Sequence, residues 1–292
     1  MTQAAVPVDR STSLVGCDFS SAPNAKKNIV LALGELKSGC VKLSHLERFA
    51  SLSAFSNWLK CPGSWVGAFD LPFGLPRELV QALGWPMDWA ACMAHYAALS
   101  REQIRAEFSA FCNARPAGGK FAHRATDHPA GSSPSMKWVN PPVAFMLHAG
   151  VPLLLHAGVT LPGLHSPFKV ETGEGSGGQK VALEGYPGLL ARELLGQRSY
   201  KADDKTRQTS ERLIARKDLI TTLEQGRTRL GLRLKLSHAQ RDALADDARG
   251  DALDATLCLM QAGWAQTRYL AGDEMYGLPA TMDPLEGWII TA

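Results

Sequence analysis

Residues 14–21 read LVGCDFSS, a short apolar run that ends in an acid and is followed by small polar residues. An apolar run of this length, closed by turn-forming residues, is typical of a buried β-strand. The pattern places Asp18 at the carboxyl end of that strand. This first strand decides the expected fold, because the elements after it can be ordered relative to it.

Two further apolar runs follow at residues 28–36 and 39–46, and only two residues separate them. Both runs are rich in Val, Ile and Leu, so we expect them to pair as an antiparallel hairpin. A helix is predicted over residues 53–60, because Ser53 can cap its start and apolar residues recur at spacings of three and four. This helix is expected to pack against the sheet.

The fourth predicted strand is SWVGAFD at residues 64–70, and Pro72 ends it. Asp70 therefore lies at a strand end, as Asp18 does. A strand, an antiparallel hairpin, a helix and a fourth strand is the order that opens the RNase H fold, in which strands one and four are neighbours. We expect the two aspartates to face each other in the crevice where open α/β sheets bind ligands.

A helix is predicted near the end of the chain, where residues 251–260 read DALDATLCLM. Asp251 and Asp254 are three residues apart and therefore share one face of this helix. Asp251 follows Gly250 and has an alternative role as the N-cap of the helix. Asp254, one turn further in, is not explained by capping.

These four aspartates suit a site for two Mg²⁺ or Mn²⁺ ions. Phosphodiester hydrolysis is assisted by two divalent ions about 4 Å apart, and Mg²⁺ prefers carboxylate oxygens. Buried carboxylates without such ions would raise one another's pKa at a cost in free energy. Each aspartate taken alone has the alternative of capping a strand or helix end.

Six short segments resemble landmarks of a known family in the order GCDFS at 16–20, FDLPFGLP at 69–76, EGYP at 184–187, SYK at 199–201, DALDA at 251–255 and EGW at 286–288. They resemble domain-of-unknown-function family 429, which is regarded as a set of predicted RNase H-like nucleases. The landmarks span nearly the whole chain. The resemblance implies an RNase H-like fold and a nuclease activity.

Glu184 ends another apolar run, residues 180–184, and is a candidate fifth acid of the site. Its alternative role is at the entry of the next helix, whose positive dipole end favours an acid. Arg124, in a loop segment RATD that also resembles a family landmark, is a candidate phosphate contact. A surface ion pair with Asp127 is its alternative.

A basic stretch from Arg198 to Arg241 contains 12 Lys or Arg against five Asp or Glu, whereas the whole chain carries a net charge of +3. Such a stretch beside an acidic site is able to hold a phosphate backbone. Lys201 and Arg207 are the substrate-contact candidates within it. The alternative is a solvated face of an amphipathic helix over residues 210–224.

Residues 77–167 are predicted to be an insertion after the fourth strand of a single domain that spans residues 1–292. Helices are expected over 88–99 and 101–113, the second with a capping box from Ser100 and Gln103. The apolar stretch at 143–164 is interrupted by His, Gly and Pro and is not expected to span a membrane. We expect the insertion to cap the active-site side.

The six cysteines show no CxxC or His-paired spacing, and the chain starts without a signal-like apolar segment. These features predict a cytoplasmic protein with reduced thiols and no membrane partner. The phosphate-binding pattern GxxxxGK[ST] is absent from the sequence.

The predicted fold class is α/β, with an RNase H-like mixed five-stranded sheet flanked by helices. The leading hypothesis is a metal-dependent nuclease that cuts DNA or RNA. The alternatives are a catalytically silent binding or scaffold protein and a phosphotransferase of the actin-like branch. The predicted metal ligands are Asp18, Asp70, Asp251 and Asp254, with Glu184 as a further catalytic candidate.

Overall fold

The computed structural model describes residues 12–167 and 179–292. Its centre is a six-stranded sheet in the order β5-β4-β1-β2-β3-β6. The strands are β1 (Thr12–Asp18), β2 (Ile29–Lys37), β3 (Cys40–Phe49), β4 (Trp65–Asp70), β5 (Lys180–Glu184) and β6 (Arg233–Lys235). Strand β2 runs antiparallel to both of its neighbours, and the other neighbouring pairs are parallel.

The mixed α/β class is confirmed, but the expected count of five strands is wrong. The sixth strand, β6, pairs with the start of β3 through Cys40, Val41 and Lys42. It has only three residues, of which only the central Leu234 is buried. So short a segment has too few alternations to be detected by its periodicity.

Ten α-helices cover the two faces of the sheet within the described residues. They are α1 (Leu52–Lys60), α2 (Arg77–Ala82), α3 (Trp89–Ala98), α4 (Arg101–Asn113), α5 (Asp127–Ala130), α6 (Val143–His156), α7 (Pro187–Leu195), α8 (Ser210–Glu224), α9 (His238–Asp246) and α10 (Asp251–Leu270). One hydrophobic core lies between the sheet and α7–α10. A second core lies between the opposite face and α1, α2, α3, α4 and α6.

Two predicted helix starts have different outcomes. Helix α1 is capped by Ser51, whose Oγ accepts a hydrogen bond from the Ala54 N–H at 3.2 Å, so the assignment of Ser53 as the cap is wrong. Both serines precede the apolar face by a short distance, and sequence alone does not choose between them. The capping box of Ser100 and Gln103 at α4 is confirmed.

Helix α10 lies directly against β1 because β1 carries a glycine at the crossing point. A Cβ atom on Gly16 would lie 2.0 Å from the Ala255 carbonyl oxygen and 2.2 Å from the Leu259 nitrogen. No side chain fits there. The close approach brings the first turn of α10 towards the carboxyl end of β1.

The sequence predicted that residues 77–167 cap the active-site side. In the structure they do more than this. Their helices supply buried residues such as Leu79, Tyr96, Phe108 and Leu154 to the second core, where these meet the β1 and β4 side chains. The segment therefore covers one face of the sheet together with α1. It also lines part of the cavity described below.

Within the described residues, no helix is both long and apolar enough to cross a membrane.

Candidate functional site

Asp18 and Asp70 lie side by side at the carboxyl ends of β1 and β4. They are partners in the parallel register of these strands, and each is half-buried. Asp254, in the first turn of α10, has an exposed fraction of 1 %. With Asp251, these three carboxylates line one cavity of about 480 Å³. The four predicted aspartates are thus brought together from three elements.

Asp251 is not the N-cap of α10, so that alternative is wrong. The N-cap is Gly250, whose φ of +79° is the left-handed conformation that glycine adopts easily. The Ala252 N–H at the helix start instead donates to Oδ2 of Asp247 at 2.8 Å. Capping therefore does not account for Asp251, which lines the cavity.

Asp254 is held by two residues of the loop between α7 and α8. The Tyr200 hydroxyl donates to its Oδ1, and the Lys201 ammonium donates to its Oδ2. The Lys201 side chain is 45 % exposed, so it reaches the buried carboxylate from the solvent side. These contacts neutralise one of the acids of the cavity and fix its orientation.

The remaining acids are electrostatically crowded. Burial and the nearby Asp254 raise the pKa of Asp70 to about 7. Burial raises the pKa of Asp18 well above its ordinary range, and the charges of Asp254 and Asp70 raise it further. The pKa of Asp251 is raised by burial and by Asp247. Like charges held together in a poorly solvated place favour protonation or a bound cation.

Glu184, at the end of β5, is buried and forms an ion pair with Arg124. Its Oε1 and Oε2 accept from Nη2 and Nη1 of Arg124 at 2.6 and 2.8 Å, and Oε2 also accepts from the Phe73 N–H at 3.0 Å. Burial raises the pKa of Glu184, while Arg124 opposes this shift. Glu184 lines the cavity beside Asp70, but its oxygens are already committed to these donors.

Arg124 is an internal structural residue with an exposed fraction of 2 %. Its guanidinium donates to Asp127 through Nε and Nη2, to Glu184 through Nη1 and Nη2, and to the Glu286 carbonyl through Nη1. All five N–H groups are therefore used, and none is left to hold a phosphate. Its pair with Asp127 exists but is buried, so the surface ion pair considered as its alternative is wrong.

The basic stretch of residues 198–241 contributes one cation, Lys201, to the lining of the cavity. Arg207 lies exposed in a short 3₁₀ helix and is not brought to the cavity. Arg216 is buried and donates to the carbonyls of Ala245 and Tyr200. Arg216 and the pair of Arg198 with Asp218 fasten α8 to its surroundings, so this part of the stretch is not the solvated helix face considered as its alternative.

Two cations that sequence reasoning missed also line the cavity. Lys27 lies between β1 and β2, and Arg249 lies just before α10. The Nη1 of Arg249 donates to the Lys26 carbonyl, so the two segments are in contact. Each is a single basic residue in a loop. Arg249 is two residues before the predicted site acid Asp251, which could have drawn attention to it, whereas no sequence signal marks Lys27.

The donor set suits a hard divalent cation, since carboxylate oxygens from separate elements are the ligands that Mg²⁺ and Mn²⁺ prefer. Burial raises the pKa of Asp18 and of Asp70, and the neighbouring charge of Asp254 raises both further, so a bound cation would offset a cost present at this place. In their present positions, no three His, Cys, Asp or Glu side chains of the described residues are arranged as a metal centre. Binding would require the Lys201 ammonium to leave Asp254.

Compared with models of known protein families, with curated proteins and with solved structures, the chain matches none.

Proposed function

We propose that this protein is a metal-dependent nuclease that hydrolyses phosphodiester bonds of DNA or RNA at the cavity between β1, β4 and α10. One observation carries the proposal: Asp18 and Asp70 are register partners on adjacent strand ends, and Asp254 joins them from α10. Three acids from separate elements at one cavity are the arrangement that a two-metal site needs.

The strand order supports an RNase H-like fold as the setting of this site. Leaving out the short β6, the order is β5-β4-β1-β2-β3 with only β2 antiparallel to its neighbours. The pairing of β1 with β4 and the β2–β3 hairpin agree with the sequence expectation. The resemblance to domain-of-unknown-function family 429 points to the same fold and activity.

The proposed chemistry assigns a role to each acid. Asp18, Asp70 and Asp254 would hold two Mg²⁺ or Mn²⁺ ions, with Asp251 at the rim. When bound, such ions supply Lewis-acid stabilisation of the phosphate and lower the pKa of a bound water. Strands β1 and β4 and helix α10 bring the carboxylates to one cavity, and release of Asp254 by Lys201 would complete the ligand set.

Glu184 and Arg124 would act behind the ligands rather than on the substrate. The ion pair closes the cavity next to Asp70 and keeps the β5 end in place. Two buried, mutually satisfied groups of this kind orient neighbouring ligands without binding the ion themselves. Lys201 would release Asp254 when the ions enter and would then be free to contact a phosphate.

A second candidate function is non-catalytic binding of nucleic acid. The contacts of Lys201 and Tyr200 with Asp254 favour it, because they satisfy that carboxylate without any ion. A fold can be retained as a scaffold after its chemistry is lost. The two candidates differ in whether divalent ions bind at all.

The test is cleavage of labelled single-stranded, duplex and branched DNA and RNA in Mg²⁺, in Mn²⁺ and in chelator. The variant is Asp18→Asn, and the matched control is Asp203→Asn, an exposed acid that lines the same cavity. We expect cleavage that needs the ion, is lost by at least about 100-fold in Asp18→Asn and is kept in the control.

Three other outcomes would contradict the proposal. Cleavage that survives both chelator and Asp18→Asn would place the activity elsewhere. Binding of nucleic acid with no cleavage and no ion binding would favour the non-catalytic candidate. Hydrolysis of ATP without nucleic-acid cleavage would favour a phosphotransferase.

A further inference from the structure

Lys27 and Arg249 stand out among the basic residues because both line the cavity without an ion-pair partner in the described part of the chain. The other basic side chains that line the cavity are paired, Arg124 with Glu184 and Lys201 with Asp254. Lys27 also lies close enough to Asp251 to oppose the rise of that acid's pKa. Two available cations therefore stand beside the acids.

Residues of the 77–167 segment form another part of the wall. They are Ser132 and Ser133, and Pro142, Val143 and Met146 at the start of α6. This part of the lining is partly apolar, whereas the part formed by Asp18, Asp70, Asp251 and Asp254 is acidic. An unpaired nucleobase can pack against apolar side chains such as Val143 and Met146 while its phosphate stays with the cations.

The size of the cavity limits what can enter it. A volume of about 480 Å³ lies within the roughly 300–1,000 Å³ range of small-molecule pockets. Specific binding of a double helix instead buries about 1,000–2,500 Å² of protein surface. A base can pack against the wall of residues 132–146 only when it is unpaired, and unpairing costs a few kcal/mol that a single strand does not have to supply.

We infer that the substrate is an unpaired strand, whose phosphates are held by Lys27 and Arg249 while its bases pack against the wall of residues 132–146. This inference rests on the proposed function for the identity of the ligand as a nucleic acid. It names the strand state that the site selects, and it assigns two substrate-contact residues that the sequence did not single out.

The test is equilibrium binding measured by fluorescence anisotropy, with a labelled single-stranded 12-mer of DNA, the same sequence in RNA, and the corresponding DNA duplex. Binding is measured with Ca²⁺ and, separately, with chelator. The variants are Lys27→Gln and Arg249→Gln. The controls are Lys26→Gln and Arg207→Gln, two exposed basic residues that do not line the cavity.

We expect the single strands to bind at least about 10-fold more tightly than the duplex, since no unpairing is needed. Each cavity variant should reduce the slope of log K against log salt by about 0.7, the value for one phosphate contact to a single strand. The two controls should leave the slope unchanged. Unlabelled mononucleotide should compete only weakly, because it offers a single phosphate.

Equal binding of duplex and single strand would overturn the inference, as would an equal effect of Lys26→Gln and Lys27→Gln. Competition by mononucleotide as strong as that of the unlabelled strand would also overturn it, in favour of a small phosphate ester. Because binding is read without hydrolysis, the two ideas fail separately. Strand binding with no cleavage would refute only the nuclease, and cleavage with a preference for duplex would refute only this inference.

Discussion

At the scale of single residues, the cavity concentrates acids that are costly to ionise together. Asp18, Asp70 and Asp254 come from three elements, and burial adds to their mutual repulsion. One ammonium, that of Lys201, contacts them in the described structure. The excess charge has measurable consequences for stability, whether or not the protein is a nuclease.

The first prediction concerns pH. The pKa of Asp70 is raised from 3.8 to about 7 in the folded protein, so the fold binds more protons than the unfolded chain between these values. The stability that protonated Asp70 contributes is therefore complete below about pH 4 and is lost as the pH rises through about 7. Urea unfolding in chelator should show a fall in the free energy of unfolding over this range.

The variant Asp70→Asn should flatten that fall and stabilise the ion-free protein at pH 8 by about 2 kcal/mol. A rise in the pKa of Asp70 from 3.8 to about 7 corresponds to about 4 kcal/mol of unfolding free energy. We halve this figure because the Asp70 side chain is only half-buried. Asp203→Asn should leave the profile unchanged. A wild-type profile that rises between pH 5 and 7 would show that the acids are not crowded.

The second prediction concerns Lys201. Its replacement by Gln leaves Asp254, with an exposed fraction of 1 %, without its cationic partner. The free energy of unfolding should fall by about 1–3 kcal/mol. Breaking a fully buried ion pair costs about 3–5 kcal/mol, and the cost is smaller here because the lysine side chain is 45 % exposed.

Mg²⁺ should raise the melting temperature of Lys201→Gln more than that of the wild type, because no ammonium then competes for Asp254. Lys205→Gln, an exposed lysine in the same loop, is the matched control. If Mg²⁺ stabilised the variant and the wild type equally, Lys201 would not compete with the ion. If it stabilised neither, the carboxylates would not bind this ion.

At the scale of elements, the sequence predicted well those segments whose pattern is long or sharply ended. The bounds of α4 and α8 agree with the prediction at both ends, as do those of β5. Asp18 and Asp70 also lie at strand ends as expected. The periodic alternation of apolar and polar residues predicts the type of each element, and turn-forming residues mark where the element ends.

What the sequence did not predict depends on contacts between distant segments. Strand β6 exists because β3 offers a parallel edge to it, and its three residues carry no pattern of their own. The ion pair of Arg124 with Glu184 joins residues 60 positions apart in the sequence. The approach of Lys27 to the cavity likewise results from folding, so no local signal announces it.

The third prediction tests the packing of α10 on β1. Gly16→Ala places a Cβ 2.0 Å from a backbone oxygen of α10, and neither strand nor helix can move without disturbing the core. We expect destabilisation of about 3 kcal/mol or more. Ion binding at the proposed metal site should also be lost, since Asp18 and Asp254 would separate. Calorimetry and chemical unfolding measure the first effect.

The control is Gly119→Ala, because a Cβ at Gly119 meets nothing within 4 Å. It should unfold like the wild type. A Gly16→Ala protein of unchanged stability would mean that α10 does not lie so close to β1, and the geometry of the site would then be incorrect.

At the scale of the whole molecule, residues 77–167 cannot be separated from the rest of the fold. They build the second hydrophobic core, and Arg124 within them ties three distant parts of the chain together. Arg124 bonds to Glu184 of β5 and to the carbonyl of Glu286, and the neighbouring Ala125 N–H donates to the Glu286 carboxylate at 2.8 Å. Glu286 also accepts from the Arg77 N–H.

The fourth prediction is that Arg124→Met destabilises the protein by about 3–5 kcal/mol, because it leaves Glu184 and Asp127 buried without their cation. The double variant Arg124→Met with Glu184→Gln should recover part of that loss, since one uncompensated charge is removed. Chemical unfolding of the two single variants and the double variant gives the coupling energy.

The control is Arg115→Met, which breaks a salt bridge to the exposed Glu78 and should cost less than about 1 kcal/mol of unfolding free energy. Additive effects of Arg124→Met and Glu184→Gln would mean that the two side chains are not paired, and that this ion pair does not tie the 77–167 segment to β5.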